Sequence, residues 1–232
     1  MSNYRERAFR LFQEATKPNE ELYTNVESFT IISDDCWSYG PYVDFRVKFS
    51  TPFIGIRIEP PCYLELLKDI QGYVESPLTF INYSKYNHVN SWREKDRLDF
   101  PIARLKNGIE LLFVHESNED IGREKWQRRL TRINWNNLFI KFRESSWGFD
   151  PQYLIEFDQL EYEYKICFTM EERPAFDWAI SAPDYFQKIS SGGNIYEPTK
   201  KHFDVKNWIK KSYGSNPSAY KIKQSKHNDL NE

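Results

Sequence analysis

Short apolar runs of β-branched and aromatic residues recur along the chain, half of them followed by a segment of helical period. That alternation limits the fold more than any other feature. Phe29-Thr30-Ile31-Ile32-Ser33 is the first such run, apolar throughout and stopped by Asp34-Asp35, as expected of a strand covered on both faces. Similar runs predict strands over residues 53–58, 78–81, 109–115, 138–142 and 164–169. Helices are expected over residues 5–16, from Pro60-Pro61 onward, and over 118–134, 150–160 and 203–211. Pro60-Pro61 suits a first helical turn, and Ser117 suits the N-cap of the 118–134 helix. Residues 84–99 are polar, aromatic and without a clear period, which predicts a long surface excursion of the kind that often carries function.

Strands alternating with helices predict an α/β fold, a layered sheet at least partly parallel with helices on its faces. At 232 residues the chain can build one such domain, over residues 1–214, without disulfide or metal staples. Residues 215–232 are polar and expected to be a disordered tail. Three cysteines with wide, unpatterned spacing fit a reducing compartment. No apolar run is long enough to cross a bilayer and the first residues do not read as a signal peptide. A cytoplasmic location follows as the expectation, with peripheral docking on a membrane-bound partner left open. A formal net charge of -2 argues against nucleic acid as a partner. Dinucleotide, P-loop, zinc-hydrolase and serine-esterase motifs are absent from the sequence.

In open parallel sheets, ligands bind outside the carboxyl ends of the strands. That rule selects Ser33, Asp34, Asp35 and Cys36 after the first run, Glu59 after the second, and His115 and Glu116 after the 109–115 run, and the adjacent Trp37 joins them as a candidate substrate contact. Asp34-Asp35 suits a turn or helix cap, or a divalent metal on a diphosphate, the one cofactor this sequence invites; its adjacent side chains would point apart on a strand. Cys36 fits a nucleophile with His115 as its base, or a small buried hydrophobe. His115 fits a general base, or a cap of the helix that follows. On that helix Trp126, Leu130 and Ile133 share the buried stripe, with Arg129 beside it. Such an arginine either pairs with a buried carboxylate or reaches a ligand phosphate with its planar fork.

Phe29 to Trp37, Ser50-Thr51-Pro52-Phe53-Ile54-Gly55, Phe113-Val114-His115 and Trp126-Gln127-Arg128-Arg129-Leu130-Thr131-Arg132-Ile133-Asn134 occur in an order that resembles a bacterial family labelled exopolysaccharide biosynthesis protein. The family's pattern has Asn where this chain has Asp35, commonly Gly where it has Ser38, and commonly an aromatic where it has Glu116. The resemblance implies an α/β fold and a place in capsule or exopolysaccharide assembly, and it supplies no catalytic residues. The expected activity is a glycosyltransferase-like transfer from a sugar-phosphate or lipid-linked sugar. In it His115 would be the base, Arg129 and Arg132 would face the leaving phosphate, and Asp34 or Asp35 would orient the acceptor or a metal. The rival readings are a Cys36-dependent modifying transferase or hydrolase, and a sugar-binding scaffold suggested by an aromatic content of 17%.

Overall fold

The computed structural model describes residues 27–96, 98–144 and 149–211, with Gly214 and Lys221. The helix expected over residues 5–16 and, Lys221 apart, the tail expected from residue 215 lie outside the described residues. The fold is α/β. Strands β1 (Thr30–Ser33), β5 (Leu138–Arg143), β6 (Lys165–Thr169) and β7 (Ala179–Ser181) form a sheet in the order β1-β5-β6-β7, with every pairing parallel. Strands β2 (Thr79–Ile81), β3 (Ile102–Arg104) and β4 (Glu110–Leu112) form a second, antiparallel sheet.

The parallel strands are apolar on both sides because helices cover both faces. On one face Ile32, Ile140, Phe142 and Cys167 meet Tyr63, Leu64 and Leu67 of α2 (Pro60–Lys68), Ile70 and Val74 of α3 (Ile70–Val74), and, further along the chain, Leu154 and Phe157 of α6 (Gln152–Asp158). On the other face Ile31, Phe139, Ile166 and Phe168 meet Tyr42 of α1 (Tyr39–Asp44), Tyr185 of α7 (Pro183–Ser191) and Trp208 of α8 (Val205–Ile209). Helix α5 (Glu119–Leu130) is capped by Asn118, whose Oδ1 accepts from Ile121 N at 2.9 Å, so the cap lies one residue after the expected Ser117.

Residues 53–58 are not a strand. The chain turns at Gly55, with φ of +79°, a left-handed backbone that glycine adopts without strain. His115 closes over that turn, and a Cβ at Gly55 would lie 3.3 Å from the His115 Cβ. Only Arg57 then pairs, exchanging both backbone hydrogen bonds with Leu112 at 2.9 Å. The next residue, Ile58, donates to the Asp34 carbonyl at 2.8 Å. This short segment therefore ties the end of β1 to the antiparallel sheet. The expected excursion over residues 84–99 contains a helix, α4 (Asn87–Lys95), which lays Val89 and Trp92 against Phe100 and Ile102. Among the described residues, no helix is long and apolar enough to cross a membrane.

Tyr63 links helix to sheet most directly. Its hydroxyl lies 2.8 Å from the Ile32 carbonyl and 2.9 Å from that of Lys141, within the β1–β5 pair. Tyr63→Phe keeps the ring and removes the donor, and we expect a loss of about 1–2 kcal/mol in urea denaturation. An unchanged midpoint and slope would contradict this role.

Candidate functional site at the carboxyl edge of the parallel sheet

Strand β5 reads Leu138-Phe139-Ile140-Lys141-Phe142-Arg143, and the pleat sends Lys141 and Arg143 to the same side. Lys141 lies opposite Ser33 in the register, so its ammonium reaches the point where β1 ends. Its Nζ donates to Asp34 Oδ1 at 3.0 Å, Asp35 Oδ1 at 2.8 Å and the Tyr185 hydroxyl at 2.7 Å. Arg143 Nε lies 3.0 Å from Asp34 Oδ2 and 3.2 Å from Asp35 Oδ2. Tyr185 donates in turn to Asp35 Oδ2. Adjacent residues within a strand would point apart. Pairing stops at Ser33, however, and Asp35 has already left the pleat to cap the turn at Cys36–Ser38 through Trp37 N. Both carboxylates thus converge on Lys141.

All of these groups are buried, and the two carboxylates share two cations unequally. Burial raises Asp34 to about 6, against the pull of Lys141. Burial acts on Asp35 as well, but Lys141 and Arg143 outweigh it, and with the donors from Lys141 and Tyr185 its carboxyl falls to about 2. Burial works against the Arg143 charge, but Asp34, Tyr185 and Asp35 more than offset it. The four carboxylate oxygens are taken up by protein donors, so the pair does not fit the divalent metal that its sequence invites. Among the described residues there is also no group of three or more metal-ligating side chains.

A second layer lies toward solvent. Glu59, only 3% exposed, receives Arg57 Nε at 3.2 Å and has His88 Nε2 at 3.1 Å from its other oxygen. His88 and Trp92 sit four residues apart on α4 and so share a helix face. The Arg57 guanidinium lies over the Trp92 ring, 5.5 Å from its centroid. Burial lowers the Arg57 pKa, and the Arg143 charge lowers it further. Cys36 adjoins the cluster. Burial and the Asp35 charge push its thiol up to about 12, so near neutral pH it is protonated, a state unsuited to nucleophilic attack.

Residues 7–210 match the family model described as Domain of unknown function (DUF1919). The chain belongs to that family. An uncharacterized protein of Haemophilus influenzae strain Rd is 29% identical over 188 residues, covering 79% of this chain and 84% of that protein.

In this DUF1919 chain the residues singled out from sequence fall into separate places. Asp34, Asp35, Cys36 and Glu59 come together at the carboxyl edge. Trp37 does not face that site. It is fully buried, donates from Nε1 to Thr199 Oγ1 at 2.9 Å, and packs on Phe168, Tyr196 and Trp208. His115 is exposed and lies over Gly55. Arg129 donates to the Ile54 carbonyl at 3.0 Å and Arg132 to that of Phe49 at 3.4 Å. Burial lowers Arg129 to about 10, with Glu116 resisting the fall. Asn134, at the end of the same motif, binds the Ser28 carbonyl at 2.6 Å and Thr30 Oγ1 at 2.8 Å. The Trp-x-x-Arg-x-x-Arg-Ile-Asn segment therefore fastens residues 49–54 and the start of β1, the end opposite Asp34.

Lys141, Arg143, Tyr185, Arg57, His88 and Trp92 were not among the candidates from sequence. A signal for two of them was present, because Lys141 and Arg143 are charges inside a run that otherwise reads as buried strand. Such charges are found there only with partners.

Two outcomes follow. Lys141→Met leaves two buried carboxylates with Arg143 as their remaining cation, and we expect a loss of about 3–5 kcal/mol in urea denaturation; a loss under 1 kcal/mol would contradict the burial of this charge. The second concerns pH. Because Asp34 rises from an ordinary 3.8 to about 6, the native state holds a proton between pH 4 and 6 that the unfolded chain releases. Its contribution to stability therefore falls as pH rises through that window, whereas that of Asp35 is lost as pH falls from 4 toward 2. The stability difference between wild type and Asp34→Asn, measured at pH 4, 5 and 6, should shift against wild type with rising pH, by on the order of 1–3 kcal/mol. A constant difference would contradict the raised pKa.

Proposed function

We propose that the chain is a cytoplasmic transferase of surface-polysaccharide synthesis that moves a sugar from a sugar-phosphate or lipid-linked donor to an acceptor hydroxyl at this edge. The resemblance of the ordered motifs to exopolysaccharide biosynthesis proteins supports the biological setting. The observation that carries the chemistry is Glu59, a buried carboxylate with the half-buried His88 imidazole 3.1 Å away. A carboxylate at that distance stabilises the imidazolium that forms when the ring accepts a proton. His88 then takes the place expected for His115 as the base that receives the acceptor's proton. Trp92, half-buried four residues along α4, stands beside them with the Arg57 guanidinium over its ring. Asp34, Asp35, Lys141 and Tyr185 hold the floor beneath these groups.

The test is a donor panel of sugar nucleotides, sugar 1-phosphates and polyprenyl-linked sugars, assayed for release of the phosphate-bearing leaving group. With the donor that turns over, His88→Ala should lower kcat by about 100-fold or more. Glu59→Gln should lower kcat with KM changed by less than about threefold, as expected for a residue that acts through the base. Loss in His115→Ala with full activity in His88→Ala would overturn the assignment.

A further inference from the structure

We infer that Arg143 and Arg57 together form a binding site for the phosphate group of a substrate at the carboxyl edge of the parallel sheet. The first observation is an unmet donor. Arg143 is 1% exposed and its Nε serves Asp34 and Asp35, but its Nη2 is buried with no hydrogen-bond partner among the described residues. Buried donors in native proteins are almost always paired, and leaving one unpaired is costly.

The second observation is the neighbouring cation. Arg57 comes from a different segment, next to Ile58, whose N–H is bonded to the carbonyl of Asp34, the residue that holds Arg143 Nε; its side chain is 15% exposed and its Nε lies on Glu59. The Arg143 charge works against that of Arg57, and their carboxylate partners are different residues: Glu59 for Arg57, Asp34 and Asp35 for Arg143. An anion placed between two guanidinium groups relieves their repulsion and accepts from the unmet donor. Phosphate fits better than a carboxylate here. It brings three oxygens and up to two charges to a site whose own carboxylates already occupy the other donors.

This inference rests on the transferase reading, because the phosphate it binds would be that of the donor, on the same side of the site as His88. Binding without turnover separates the two. Isothermal titration of the full chain with inorganic phosphate and with pyrophosphate, at fixed ionic strength, should show a single site. Arg57→Gln should weaken it at least tenfold, and Arg143→Lys likewise. Arg128→Gln, which removes an exposed charge paired with Glu124, should leave it within twofold. If Arg143→Lys fails to fold, Arg57→Gln alone decides. No binding by wild type, equal binding by Arg57→Gln, or acetate competing as well as phosphate would each overturn the inference. Normal phosphate binding by a His88→Ala protein supports it. An inactive but phosphate-binding wild type counts against the transferase reading and not against this site.

Discussion

A lysine ammonium with no exposed surface must be neutralised where it sits, and the arrangement around Lys141 follows from that requirement. Moving such a charge out of water costs several kcal/mol unless charges and hydrogen bonds surround it. Here the last two residues on the β1 path, Asp34 and Asp35, and the first turn of α7, through Tyr185, close around it. The same carboxylates hold Arg143 by its Nε. One buried charge thereby fixes the end of β1 against β5, seats α7 on the sheet edge and orients a guanidinium whose Nη2 finds no partner among the described residues. An apolar residue at position 141 could pack as well, but it would leave Asp34 and Asp35 without their shared partner.

Strands β1, β5 and β6 of the parallel sheet were legible because their sequences are largely apolar on both sides. Residues 138–142 and 164–169 fall within a residue or two of β5 and β6. The run over residues 53–58 misled because composition does not reveal that Gly55 takes a positive φ and reverses the chain. Helix α4 was unreadable for the opposite reason. Its buried contacts rest on few apolar residues, chiefly Val89 and Trp92, so periodicity had little to register. Strand β7 is three residues long, below what a pattern can signal.

The carboxyl-end rule gives the same lesson at the site. It selected Asp34, Asp35 and Glu59 because β1 lies in the parallel sheet and residues 57–58 are bonded to its end. It also selected His115, which follows β4. That strand belongs to the antiparallel sheet, where strand ends alternate and no shared edge exists. Arginines divide in the same way. Arg129 and Arg132 spend their guanidinium groups on the backbone carbonyls of residues 54 and 49, so the most recognisable motif of the sequence is a structural clasp. Arg57 lies in a short, unremarkable stretch and Arg143 in a distant strand, so nothing in the sequence pairs them.

The working edge proposed for the molecule lies above Lys141, between Arg143, Arg57 and His88. Crystals of the full chain grown with tungstate, a heavy tetrahedral oxyanion, test it directly by anomalous scattering. The account predicts a tungsten peak within hydrogen-bonding reach of the Arg143 and Arg57 guanidinium groups. A peak confined to the neighbourhood of Arg129 and Arg132, with the carboxyl edge unoccupied, would contradict it.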